Sequence, residues 1–249
     1  MTLPDQTLPE KRQAIRRLLN DYNPADAMAA YYAFHHPDNK TQLVTYPAGA
    51  ARAIGYVALS RTGIDLFRPL VTLRLPVNDM IASVALFYQA LQPGTAVILS
   101  APIQYHPLLK ALIDIHAEER LHLFVLDQRR FEPIINVLVT RSVSPNGLPR
   151  FVIRSAAGGS SEVVAAAGLN WQSPAFAEIS VSTNLRHQRR GWGRSVVAAM
   201  VQYILDSGRQ PLYMAAAQNQ PSIRLAESVG FVDSGIREVI LQGIVRPRP

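Results

Sequence analysis

Cysteine is absent from the 249 residues, and lysine nearly so, occurring only at Lys11, Lys40 and Lys110. Without cysteine there is no disulfide, no thiolate metal site and no cysteine nucleophile. No apolar run approaches the roughly 20 residues that a membrane helix needs. The opening MTLPDQTLPEKRQ has no apolar stretch behind its charges, so no secretory signal is expected and the cytoplasm is the expected location. Apolar residues make up 48% of the chain, which suits a packed core and argues against disorder. With so little lysine, arginine carries most of the formal charge of +7. The arginines are scattered rather than run together, which fits a polyphosphate ligand better than a nucleic-acid backbone. A basic nucleic-acid binder remains an alternative, and it predicts a steep salt dependence of duplex binding.

The pattern of apolar spacing and turn residues predicts elements along the whole chain. Helices are expected from Pro9 to about Asn20 and over Ala25 to Phe34, followed by the pair His35-His36. Adjacent histidines do not share a helix face, so a helix-end or surface role is expected for them rather than a metal. Strands are expected at Gln42 to Tyr46, Ala53 to Ser60 and Leu70 to Leu75. A helix capped by Asn78 follows and runs to about Leu91. Next come a strand at Thr95 to Ser100, a helix at His106 to Ala117 and a strand at Leu121 to Leu126. Pro133 to Arg141 reads as helix or strand. Phe151 to Ser155, Val163 to Asn170 and Phe176 to Ser182 read as strands, and Arg194 to Leu205 as a helix. Pro211 to Ala216 is a strand, Pro221 to Val229 a helix and Ile236 to Gln242 a last strand.

The fold class expected is α+β, a three-layer α/β arrangement of a mixed central sheet with flanking helices. The order of elements starts again near Phe131. Two halves are therefore expected, 1–130 and 131–249, as a diverged tandem repeat; the alternative is one α+β domain with a long N-terminal extension. Only Pro76-Val77 separates the strand and long helix of the first half. The second half has a longer loop there, Gln188-Arg189-Arg190-Gly191-Trp192-Gly193-Arg194-Ser195. A two-glycine turn that opens a helix presents free N–H groups and a helix N-terminus, which together make an anion cradle.

With Asn219 after the next strand and Gly230-Phe231 after the next helix, the second half resembles the GNAT acyltransferase superfamily. Gln188-x-x-Gly191-x-Gly193 looks like its acyl-CoA motif, and Asn219 through Ser222 and Leu225 to Gly230-Phe231 like its following motif. The resemblance covers about Phe151 to Gln242. It implies acetyl-CoA, or another acyl-CoA, as co-substrate, an amine as acceptor (small molecule or peptide) and no metal.

The resemblance also implies site residues. The N–H groups from Arg189 to Arg194 would donate to the pyrophosphate, with Arg189, Arg190 and Arg194 adding charge and the helix dipole about 0.3–1 kcal/mol, up to ~2 where partly buried. The alternative for these arginines is a solvated helix start. Gln188, Trp192, Ser195 and Ser222 are grouped with the cofactor contacts, Trp192 as packing beside the cofactor. Backbone near Val181 and Ser182 would face the pantetheine arm, and Asn219 would touch it from the other side unless it merely ends a strand. Glu178, the one acid in its strand, is the candidate base; the alternative is that it pairs with an arginine such as Arg186. A base has work to do: an amine of pKa about 10.4 costs roughly 4–5 kcal/mol to deprotonate at pH 7. Many family members place a tyrosine one residue after the leucine matched by Leu225 to protonate the leaving thiolate. Ala226 stands there, leaving Tyr213, Tyr203 or water as substitutes, or a CoA thiolate that leaves unassisted because its conjugate acid is fairly acidic. A catalytically silent acyl-CoA-binding module is the alternative function.

Overall fold

The structure is a computed structural model, and it describes residues 6–63, 65–144, 147–155, 162–187 and 190–248. The chain divides into two compact units, 1–121 with 237–249, and 122–236. The division falls nine residues before the expected 130/131 boundary, at 121/122. The chain's last segment groups with the first unit rather than with 131–249.

In the first unit, α1 (Leu8–Ala14) and a short helix α2 (Ala27–Ala30) that continues as a π turn over Tyr31–His35 precede the strands. The strands are β1 (Thr41–Tyr46), β2 (Gly55–Ser60), β3 (Leu70–Arg74) and β4 (Ala96–Pro102). Helix α3 (Met80–Ala90) lies between β3 and β4 in sequence, and α4 (His106–Leu112) leads into β5 (Ile113–Leu126). The strand order is β1-β2-β3-β4-β11-β5, where β11 is Phe231–Val245. β3 and β4 are parallel, while the β1/β2, β2/β3 and β4/β11 pairs are antiparallel. One face of this sheet packs Val57, Leu73 and Leu99 on Leu86 and Phe87 of α3, and Tyr56 and Ala58 meet Ile15, Leu19 and Ala33 in a separate cluster.

The second unit contains β6 (Val139–Val143), β7 (Pro149–Ser155), β8 (Glu162–Gln172) and β9 (Phe176–Thr183). Helix α5 (Trp192–Asp206), β10 (Gln210–Ala216) and α6 (Gln220–Val229) follow. Its strand order is β11-β5-β10-β9-β8-β7-β6, with β11 and β5 contributing the residues that fall within 122–236. Helix α5 buries Val196, Val197, Met200, Val201 and Ile204 against Ala165, Ala167, Ala177 and Ile179. Each of these larger side chains contributes about 1.5–3 kcal/mol on full burial, and together they fix where the helix N-terminus points.

The mixed sheet with flanking helices is the expected fold class. Several bounds differ. The expected helix to Ala117 ends at Leu112, because Ile113 and Ile115 pack on the first unit's core while Asp114 and His116 are outside it, the period of a strand. The last strand starts at Phe231 and runs to Val245 rather than spanning Ile236 to Gln242. α1 stops at Ala14 rather than near Asn20, and only Val139–Val143 of the ambiguous 133–141 region and its sequel is regular, as a strand.

Candidate functional site

The turn into α5 is set by two glycines acting differently. Gly191, the helix N-cap, has φ 75°, a left-handed conformation that costs other residues roughly 1–2 kcal/mol. Gly193 has an ordinary φ but no room: a Cβ there would stand 3.2 Å from Thr183 Oγ1 and 3.4 Å from Leu225 Cδ2. The first helical bond runs from Ser195 N–H to the Gly191 carbonyl at 3.1 Å, and no side chain among the described residues caps the helix. The N–H groups of Trp192, Gly193 and Arg194 are thus left without intrahelical acceptors. Gln188 and Arg189 lie outside the described residues.

This helix start forms one wall of a cavity of about 520 Å³. Val181 and Thr183 of β9 line it, as do His187, residues 190–194, and Asn219, Pro221, Ser222, Arg224 and Leu225 at the start of α6. Three arginines line the cavity, and no acidic residue does among those described. His187 stacks on Trp192 with ring centroids 5.4 Å apart, and the Arg190 guanidinium lies over the same indole at 5.2 Å. His187 Nδ1 is buried without a hydrogen-bond partner among the described residues.

The cavity continues into the sheet. Parallel pairing between β9 and β10 runs from Phe176/Gln210 to Ile179/Tyr213 and stops, although β9 extends to Thr183 and β10 to Ala216. On its other side β9 stays paired with β8 as far as Thr183. The strands therefore part beyond Ile179, and Val181 and Thr183 lie at the opening. In the first unit, α3 starts differently. Asp79 Oδ1 accepts from Ala82 N–H at 2.9 Å, so a carboxylate occupies the N-terminus of α3.

The two candidate catalytic side chains are not brought together. Glu178 stands opposite Leu212, and Tyr213 opposite Ile179, so they project from opposite faces of the sheet. Glu178 is 6% exposed and does not line the cavity. Its Oε2 accepts from Trp171 Nε1 at 2.6 Å and its Oε1 from Asn170 Nδ2 at 2.7 Å. A register shift between Leu169 and Trp171 makes Asn170 an extra residue in β8, which lets two consecutive side chains reach one carboxylate. The Tyr213 hydroxyl is buried 2.9 Å from Ser222 Oγ, and burial raises its pKa above the ordinary phenol value while the Ser222 contact acts in the opposite direction. Ala226 is fully buried in the core behind the cavity, so that position is filled by packing.

Other expected site residues are divided between cavity and framework. Asn219 does both: it lines the cavity, and its Oδ1 accepts from Ser222 N–H at 3.1 Å to cap α6. Arg194 lines the cavity while its Nε donates to the Ser228 carbonyl. Ser195 holds the turn instead, its Oγ accepting from Asn136 Nδ2 and donating to the Gly191 carbonyl. Ser182 is exposed and outside the cavity. Thr183, His187, Pro221 and Arg224 were missed as lining residues; Arg224 sits inside the Asn219–Leu225 motif and its charge was the available signal. His35 and His36 bind Asp21 and Thr41 respectively, and no metal-binding cluster occurs among the described residues.

Residues 160–238 match the family model described as FR47-like protein. A comparison with curated proteins finds no match. Among solved structures, a Drosophila protein superposes with a TM-score of 0.68 at 16% identity, covering 97% of both chains. A GCN5-related N-acetyltransferase-like protein from Streptococcus suis gives 0.63 at 13% identity, covering 94% of this chain and 99% of that one. A tandem GNAT protein from the clavulanic acid biosynthesis pathway gives 0.58 at 15% identity, covering 99% and 97%. The segment 160–238 is thus FR47-like, and the chain has the fold of the GNAT acetyltransferases.

Proposed function

We propose that the second unit binds an acyl-CoA, with acetyl-CoA the simplest candidate, and that the protein transfers the acyl group to an amine. The observation that carries this reading is the parting of β9 and β10 beside an uncapped, arginine-flanked helix N-terminus. The pyrophosphate would take the N–H groups of Trp192, Gly193 and Arg194, with Arg190 and Arg194 supplying charge. The pantetheine arm would lie in the gap against Val181 and Thr183, with Asn219 on its far side. The amine would attack the thioester carbon directly, forming the C–N bond as the C–S bond breaks, because no cysteine is present to carry the acyl group.

The proton steps would fall to Glu178 and Tyr213. Glu178, as base, would act from the face opposite Tyr213 while retaining its Asn170 and Trp171 donors. On the thiolate side, Ser222 Oγ lines the cavity and contacts the Tyr213 hydroxyl, so Tyr213 would act through Ser222 rather than directly. The two halves would be diverged copies, the second carrying the cradle and the first serving as a scaffold or as one wall of the substrate cleft. The absence of cysteine fits a reducing, cytoplasmic setting.

A second reading, an acyl-CoA-binding module without turnover, is favoured by the buried Ala226 and by the separation of Glu178 from Tyr213. Release of free CoA thiol from acetyl-CoA across a panel of small and peptide amines distinguishes them. Amine-dependent release is expected. Binding without release supports the silent module, and absence of binding contradicts both.

A further inference from the structure

Three guanidinium groups line one cavity, and two of them have contacts within the protein. Arg194 Nε donates to the Ser228 carbonyl at 3.0 Å, and Arg190 lies over the Trp192 ring. Arg224 differs. It is exposed on α6, it lines the cavity, and it makes no hydrogen bond, ion pair or ring contact among the described residues. Its neighbour Leu225 lies 3.4 Å from where a Gly193 Cβ would stand. This second turn of α6 therefore packs against the start of α5, and Arg224 flanks the cradle without being part of it.

A pyrophosphate in the cradle would already be met by backbone N–H groups, the helix dipole and the two arginines of the turn itself, Arg190 and Arg194. A further unpartnered cation beside it suits an anion extending beyond the pyrophosphate. Coenzyme A carries such a group, a phosphate on the ribose 3′ carbon, one sugar ring away from the pyrophosphate. A guanidinium suits this task because its planar fork can bind phosphate through two parallel N–H donors.

We propose that Arg224 receives the 3′-phosphate of the coenzyme, and that this contact makes the site selective for CoA over 3′-dephospho-CoA. The proposal rests on the acyl-CoA reading above. An exposed charge-assisted contact of this kind is expected to favour the phosphorylated form by about tenfold at low salt, and less at high salt.

The test measures calorimetric dissociation constants of CoA and 3′-dephospho-CoA for the wild type, Arg224→Ala, Arg224→Lys and Arg190→Ala. The wild type should prefer CoA by about tenfold. Arg224→Ala should bind both ligands equally, at the wild type's affinity for the dephospho form. Arg224→Lys should keep part of the preference, and Arg190→Ala should bind both more weakly with the ratio intact. Equal wild-type affinities, or a ratio that survives Arg224→Ala, would overturn the assignment while leaving the acyl-CoA reading in place. Binding of neither ligand by the wild type would overturn both.

Discussion

At Gly191 the backbone requires a positive φ, and at Gly193 the neighbours require the absence of a Cβ, so substitutions at the two positions should fail differently. A Cβ at Gly191 meets nothing within 4 Å, and only backbone strain opposes it. Gly191→Ala should therefore lower stability by about 1–2 kcal/mol in urea unfolding. Gly193→Val should press on Thr183 and Leu225 and intrude on the cradle. Its main effect should be at least about a tenfold loss of acetyl-CoA affinity by calorimetry, since removing a charge-assisted backbone contact has that order of cost. Glu178 follows a third logic. Both carboxylate oxygens accept hydrogen bonds from neighbours. In Glu178→Gln the amide oxygen can keep the Trp171 indole donor and the exposed Asn170 amide can turn its oxygen to the new N–H₂, so two charge-assisted hydrogen bonds become neutral ones, at a cost of about 1–3 kcal/mol by chemical denaturation. A catalytic role is read separately, as a fall in kcat with KM unchanged and far larger than any unfolded fraction explains.

At the scale of elements, β9 and β10 separate after four paired positions, and the cofactor's arm would fill that gap. Acetyl-CoA should then slow amide hydrogen exchange in residues 180–183 by mass spectrometry, while exchange in 177–179, already paired on both sides, should change little. In the first unit, β11 presents Glu238 to β4, where Ser100 Oγ donates to its Oε2 at 2.9 Å. Burial raises the Glu238 pKa above the ordinary carboxylate value; Asp26 adds to the rise, while Ser100 and Arg74 oppose it. As pH climbs past the ordinary value, the unfolded chain loses this proton before the folded one does. Stability therefore falls with rising pH until the raised value is passed. Urea midpoints should decline as pH rises above the ordinary carboxylate range, and Glu238→Gln, which can still accept from Ser100, should flatten the decline.

At the scale of the whole molecule, the cradle was legible because its requirements are local: two glycines, arginines, a strand before and an amphipathic helix after. The parting of β9 from β10 was legible only through resemblance, because apolar periodicity does not reveal where pairing stops. The partners of Glu178 were not legible, since they depend on a one-residue bulge at Asn170 that leaves no composition signal. The burial of Ala226 was equally hidden, because helical spacing gives the face but not how much room lies in front of it. Nor did the sequence reveal that β5 and β11 each have residues in both units: both runs are apolar-polar alternations, and alternation does not name the neighbouring strand.

The central claim is that one unit of this chain binds an acyl-CoA at the start of α5. Calorimetric titration of the intact chain with acetyl-CoA tests it most directly. One molecule should bind per chain, at least about tenfold more weakly in Gly193→Val and with unchanged affinity in Asp79→Ala at the first unit's helix. No binding, or two molecules per chain, or binding that survives Gly193→Val unchanged, would contradict it.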